Sequence, residues 1–322
     1  MTLEAPENIQ DNILVIKHGA LGDIVLAMPC FQAIRAHHPD SHITIMTQTP
    51  FAGFLDSTGW FDAVHIDDRP GPCHIGAVLA LRKWFGQGNF SRVYDLQTQS
   101  RTGWYYRLWP GHKPEWSGIA RGCSHPHANP ARDLMHTEQR QAEQLAVAGI
   151  SPLPQTDLSW ISDDISGFNL NQNFALIVPG GSAHRPGKRW PADHYRALMH
   201  RLVDAGIQPV LIGNGKAEAD LIENIIADCP SAISLANKTN LTELAALARH
   251  ATLAIGNDTG PMHLFAAAAP ANCPCLVLFS DDSDPALCLP RGPSVKFLRQ
   301  SVLADISVNK VCETMGIDSK NP

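Results

Sequence analysis

The sequence predicts an α/β protein of two halves, each built on a parallel sheet. Three observations predict it. The chain has 322 residues, about twice the ~150 of a typical domain. Short β-branched runs alternate with amphipathic stretches long enough to cross back over a sheet, as parallel pairing requires. The alternation stops at 151–173, a stretch rich in Pro, Asp, Ser, Asn and Gly that ends in NLNQN, and then restarts. A domain boundary is expected there, giving domains 1–160 and 161–322.

Each element follows from its local pattern. In the first half, 13–16 is an apolar β-branched strand, 17–22 a glycine-bearing turn, and 23–35 a helix that accommodates Pro29 by a kink or a lost hydrogen bond. Strands are expected at 42–46, 63–66 and 92–96, with helices at 50–57 and 76–85. Between 101 and 116 come Trp104, Tyr105, Tyr106, Leu108, Trp109 and Trp116, suited to the interface between a helix and the sheet. A helix at 133–149 is stopped by Gly149. The second half opens with a strand at 174–178 and the polar loop 179-PGGSAHRPGKRWP-191. Helices at 192–204, 216–226, 241–249 and 263–269 then alternate with strands at 207–212, 232–235, 252–255, 274–279 and 295–298. No short-period repeat suggests a solenoid.

Composition narrows the function. Charged residues are 17% and hydrophobic residues 44%, and 25 Lys and Arg against 31 Asp and Glu leave a net charge of −6. That balance argues against a nucleic-acid partner, which needs a concentrated positive footprint. The eight cysteines are scattered in a chain too large to need staples, which fits a reducing compartment better than a disulfide framework. The polar opening MTLEAPENIQDN has no signal-peptide order and no 18 apolar residues run together, so a soluble, cytoplasmic chain is expected.

Three segments carry chemistry. The strongest is 256-GNDTGPMH-263, between an apolar strand and an alanine-rich helix. Asp258 and Thr259 are cap-forming types, Gly260 permits close backbone approach, and Pro261 suits a first helical turn. Such a helix start holds a phosphate with backbone donors and a partial positive end, and His263 stands one turn in; an ordinary well-capped helix is the alternative. The second segment, 17-KHGALGD-23, lies at the carboxyl end of the first strand and groups Lys17, His18, Gly19, Gly22 and Asp23. It lacks the GxGxxG order of dinucleotide folds, and Asp23 reads either as a helix cap or as a general base. The third segment, 179–191, carries His184, Arg185, Lys188 and Arg189; it is either a solvated basic loop or a clamp for a departing phosphate. No metal set is convincing: Cys273 and Cys275 lack a second close pair, His125 and His127 lack a zinc context, and Asp281, Asp282 and Asp284 read as an acidic turn. GxSxG is absent, so no nucleophile elbow is assigned.

The opening ILVIKHGALGDIVLAMPCFQAIR, the PGGSAHRPGKRWP loop, IGNDTGPMHLFAA and the later LVLFSDDSDP together resemble the ADP-heptose:lipopolysaccharide heptosyltransferase family, glycosyltransferase family 9. The resemblance spans nearly the whole chain. It implies the GT-B architecture, two Rossmann-like domains facing across a cleft, the first binding a lipid-linked saccharide acceptor and the second a nucleotide-sugar donor such as ADP-heptose, with no tightly bound cofactor. It also implies that the last helix returns to pack on the first domain. By resemblance Asp23 is the general base, with Lys17, His18, Gly19 and Gly22 on the acceptor side. Lys188 contacts the donor diphosphate, Glu218 holds the donor ribose, and Asp258, Thr259, Gly260 and His263 surround the diphosphate and the transferred sugar. The implied reaction is a single inverting displacement without a central role for metal.

Two other readings stay open from the residues alone. The same fold serves as a non-catalytic nucleotide-sugar binding or assembly protein if Asp23 only caps a helix. An NAD-dependent oxidoreductase is disfavoured by the missing glycine spacing. A transient contact with the inner-membrane surface is expected, if anywhere, along 101–121, where Arg101, Arg107, Lys113 and Arg121 mix with tryptophans.

Overall fold

The computed structural model describes residues 11–71, 73–181 and 184–317; the amino-terminal segment and positions 182 and 183 of the basic loop lie outside them. β1 (Asn12–Ile16) is followed by α1 (Leu21–Val25), α2 (Met28–His37), β2 (His42–Thr47), α3 (Thr49–Asp56), β3 (Ala63–Ile66), α4 (Ile75–Gln87), β4 (Phe90–Asp95), α5 (Ser100–Leu108), β5 (Glu115–Gly118), the short β6 (His125–Pro126) and α6 (Thr137–Val147). Then come β7 (Phe174–Val178), α7 (Ala192–Asp204), β8 (Gln208–Leu211), α8 (Lys216–Ile226), β9 (Ile233–Ser234), α9 (Leu241–His250), β10 (Leu253–Asn257), α10 (Gly260–Ala268), β11 (Cys275–Phe279), α11 (Pro285–Cys288), β12 (Val295–Arg299) and α12 (Val308–Met315). The chain divides into two compact units, one ending at Thr156 and the other beginning at Asp157, with Leu21–Leu26 counted in the second.

Each unit has one six-stranded sheet, ordered β3-β2-β1-β4-β5-β6 in the first and β12-β11-β10-β7-β8-β9 in the second. All the strand pairs are parallel. Counted within its own unit, each sheet has the doubly wound order 3-2-1-4-5-6, whose direction reverses between the first and fourth strands. β1 and β7 are largely apolar because helices cover both faces of the sheets, and Ile13–Ile16 and Phe174–Val178 are all buried.

Three expectations are corrected. The single helix expected over 23–35 is two, separated by a turn at Leu26–Ala27, with Pro29 in the first turn of α2, where its missing N–H costs no intrahelical bond. The last helix, expected to pack on the first domain, packs in the second unit: Val311, Cys312 and Met315 of α12 join Leu198, Met199 and Leu202 of α7 in its core. Most of the large rings expected along the 101–121 strip are not exposed either. Tyr105, Tyr106, Trp109 and Trp116 are buried with Leu81 and Phe85 under the first sheet, and the rings of Phe85 and Trp109 stack at 4.5 Å. The sequence reading also missed α5, β5 and β6. All eight cysteines are free thiols.

Candidate functional site

In both units the polar side chains gather at the carboxyl ends of the strands where the order reverses, the usual ligand position of open α/β sheets. In the second unit the keystone is Asn257, the fully buried last residue of β10. Its amide nitrogen donates to the carbonyls of Pro179 and Gly180 at 2.9 Å. Its oxygen accepts from Trp190 N–H and from the Tyr195 hydroxyl, both at 3.0 Å. All the main hydrogen-bonding directions of the amide are used, so the loop after β7 is fixed to the end of β10.

That loop delivers Lys188. A single 3-10 turn, Pro186–Lys188, directs its ammonium to Asp258 Oδ2 at 2.5 Å, with both side chains largely buried. The other oxygen of Asp258 lies 3.9 Å from His263 Nε2, so one carboxylate stands between a lysine and a histidine. Thr259, the residue before α10, makes no side-chain cap hydrogen bond. Pro261 has no N–H, and the Met262 N–H donates to Thr259 O at 3.1 Å, so it is the positive end of the helix that suits an anion.

Glu218, in the first turn of α8, ties two loops together: Oε1 accepts from Gly181 N–H at 3.0 Å and Oε2 from Asn214 N–H at 2.9 Å. A side chain at Gly180 would meet this carboxylate at 2.3 Å, so the glycine leaves room for Glu218 in this position. Each oxygen keeps a further lone pair for a hydroxyl donor.

Two more glycines explain why α1 is counted in the second unit. A Cβ at Gly22 would lie 2.8 Å from the His263 ring, and one at Gly260 would lie 2.7 Å from Leu21 Cβ. Without side chains at these positions, α1 rests directly on the start of α10 and brings Asp23 with it. Burial pushes the Cys288 thiol up to about 12, with Asp258 adding to the rise, Lys188 opposing it, and Asp284 and Asp23 adding further. Asp23 thus shares its electrostatic surroundings with the Lys188–Asp258 pair. Asp23, Lys188, Asp258 and His263 belong to one compact unit.

The first unit's strand ends are organised differently. Lys17 is buried and donates to Leu96 O at 3.1 Å. His18 is buried with Nε2 2.8 Å from Asp67 Oδ2, and the Tyr105 hydroxyl donates to the same oxygen at 2.5 Å. Burial alone would raise the Asp67 carboxyl, but its contacts with His18 and Tyr105 outweigh that and hold it below the ordinary value. Asp95, fully buried, goes the other way: burial raises it to about 6 despite the Thr98 and Gln97 N–H groups that it accepts. Gly19 has φ +116° and an added Cβ would lie 2.3 Å from the Phe51 ring, so only glycine fits the turn. Sequence reasoning missed Asp67, Asp95 and Asn257. Their signal was position alone, a polar residue at or just past the carboxyl end of an apolar strand. Among the described residues no group of three or more His, Cys, Asp or Glu is placed to hold a metal. Asp284 caps α11 through Ala286 N–H.

Comparison with known proteins fits this geometry. A model of glycosyltransferase family 9 (heptosyltransferase) matches residues 78–315. Lipopolysaccharide heptosyltransferase 3 of Escherichia coli is 34% identical over 283 residues, 80% of each chain. Its namesake in Escherichia coli strain K12 is 25% identical over 281 residues, 80% of this chain and 79% of that protein. Among solved structures, the Escherichia coli heptosyltransferase WaaC with ADP aligns with a TM-score of 0.76 at 20% identity, covering 95% of this chain and 99% of that one. At that identity the likeness speaks for the fold, and the fold is the GT-B type.

Proposed function

Since the chain belongs to glycosyltransferase family 9, we propose that it transfers a heptose from ADP-heptose to the sugar end of a lipopolysaccharide-core acceptor by one inverting displacement. The observation that carries this reading is the cluster at the start of α10: Lys188, Asp258 and His263 around the positive end of the helix, with Asp23 held beside it by the Gly22 and Gly260 contacts. A nucleoside diphosphate bound there meets the Lys188 ammonium and the positive end of α10. A WaaC structure holding ADP supports the nucleotide, and Glu218 stands where ribose hydroxyls can reach its remaining lone pairs.

In the reaction Asp23 takes the proton of the acceptor hydroxyl as its oxygen bonds to the anomeric carbon. The bond from that carbon to the diphosphate oxygen breaks on the opposite face, and the departing ADP carries the electron pair. Negative charge therefore grows beside Lys188 and the helix end. Preorganised donors of this kind each contribute about 10²–10³ in rate, and a positioned base about 10²–10⁴. His263 orients Asp258, which in turn fixes Lys188. The acceptor meets the protein at the cytoplasmic face of the inner membrane, with Lys17, His18 and Gly19 shaping the acceptor side. The family match displaces the oxidoreductase reading.

The test is a panel of ADP-, UDP- and GDP-sugars read by thermal shift, followed by turnover of the bound donor. ADP-heptose is expected to raise the melting temperature most. Asp23→Asn is expected to lower turnover by about 10³ while donor affinity stays within about threefold. Retained turnover would remove Asp23 from the base role, and preference for another nucleotide would overturn the donor.

A further inference from the structure

We propose that the outward face of α4 docks on the surface of an anionic lipid bilayer. The inference deepens the functional reading, on which it rests for a lipid-linked acceptor, but its evidence is separate. Along α4, Leu81 and Phe85 enter the first unit's core. One helical face away, Ile75 is 68% and Leu79 57% exposed, and Lys83 continues the same i, i+4 line with Arg82 beside it. The helix contains no acidic residue. Exposed Ile or Leu is ordinary by itself; here two of them share a stripe with basic side chains.

The charge around the stripe has one sign. From Arg69 to Lys113 the sequence has seven Lys and Arg and a single acid, Asp95, which is fully buried. That segment carries +6 within a chain of −6, leaving −12 for the rest. The fold concentrates it: Arg82 donates to Leu108 O, which sets the basic end of α4 against the end of α5, where Arg107 is exposed. Lys113 lies over the Tyr106 ring at 3.9 Å. Arg92 is paired with the exposed Glu115 just past the segment, so it adds no available charge, and Asp68 is the exposed acid just before the segment.

Aliphatic side chains at the centre with basic ones around them suit the headgroup boundary of a bilayer, where Ile and Leu enter the acyl region and Lys and Arg reach the phosphates. At 13 residues, about 20 Å, α4 can lie in that plane. No helix among the described residues is long and apolar enough to cross a membrane. A nucleic acid would share the charge but leave Ile75 and Leu79 without a role, and the stripe presents no exposed ring on which bases could stack.

The experiment uses the full chain, vesicles of phosphatidylcholine alone or with phosphatidylglycerol, and co-sedimentation. Binding is expected only to the anionic vesicles and is expected to weaken with salt. Ile75→Glu with Leu79→Glu, and separately Lys83→Glu with Arg107→Glu, should each lower partition by about tenfold or more, with unchanged melting temperature and unchanged turnover of a delipidated acceptor. Vesicle binding equal in wild type and variants, tighter binding to DNA than to vesicles, or self-association that the Ile75/Leu79 pair abolishes would each overturn the proposal. Loss of partition with intact turnover isolates docking from catalysis; intact partition without heptosyl transfer strikes the functional reading alone.

Discussion

The fourth strand of each sheet ends in a fully buried polar residue, Asp95 in the first unit and Asn257 in the second, and the two units tie that end to their first strand in opposite ways. In the first, Lys17 at the end of β1 reaches across to Leu96 O, and the Asp95 carboxylate folds back onto the N–H groups of Gln97 and Thr98. In the second, Asn257 reaches from β10 to the carbonyls of Pro179 and Gly180. The same topology is closed once with charges and once with an amide. A lysine used as a strut has fewer of its three donors left for a ligand. Because an amide does that work in the second unit, its lysine, Lys188, sits further along the loop, next to Asp258 at the start of α10.

Exchanging the two solutions is the sharpest way to break this comparison. Asn257→Asp replaces two donated hydrogen bonds by carboxylate oxygen facing two carbonyls, and should cost about 3–5 kcal/mol at neutral pH. Chemical denaturation should show part of the loss recovered on acidification, as the buried acid takes up a proton. If the variant is as stable as wild type at neutral pH, Asn257 is not the keystone.

Gly22→Ala comes next. Its Cβ would press on the His263 ring at 2.8 Å, which should lift α1 from α10 at a cost of about 1–3 kcal/mol. Turnover should fall about tenfold or more, because misplacing a catalytic group by even an ångström is costly. Unchanged kinetics would mean that the contact does not position Asp23.

The smallest effect has the opposite sign. Asp95 titrates near 6 in the folded protein against an ordinary 3.8, so the folded state holds its proton longer than the unfolded chain does. Its contribution to stability falls as pH rises from about 4 to 6 and stays lower above that. Asp95→Asn keeps an oxygen for the Gln97 and Thr98 N–H groups and removes the buried charge. It should therefore gain on the order of 2 kcal/mol above pH 6 and flatten the profile below it. A variant that loses stability at pH 7.5 would contradict the charged-strut account.

The comparison also shows what the sequence made legible. Strand and helix alternation announced two parallel sheets because buried strands read as continuous apolar runs, as Phe174–Val178 does. The DTGPMH segment announced a helix start because Thr259, Gly260 and Pro261 fit no other local geometry as well. What stayed hidden depends on contacts distant in sequence. Asp67 meets His18 and Tyr105 only after β1, β3 and α5 are assembled. The placement of α1 depends on Gly22 and Gly260 meeting across a packed pair of helices. α5 was missed because its SRTGWYYRL run mixes glycine and bulky rings and lacks a helical apolar period.

The central claim is that the start of α10 with Lys188 grips a diphosphate, and titrating ADP and adenosine against wild type and Lys188→Ala by calorimetry tests it most directly. The account predicts that ADP weakens by about tenfold or more in the variant while adenosine is unchanged. Equal ADP affinity in the two proteins would contradict it.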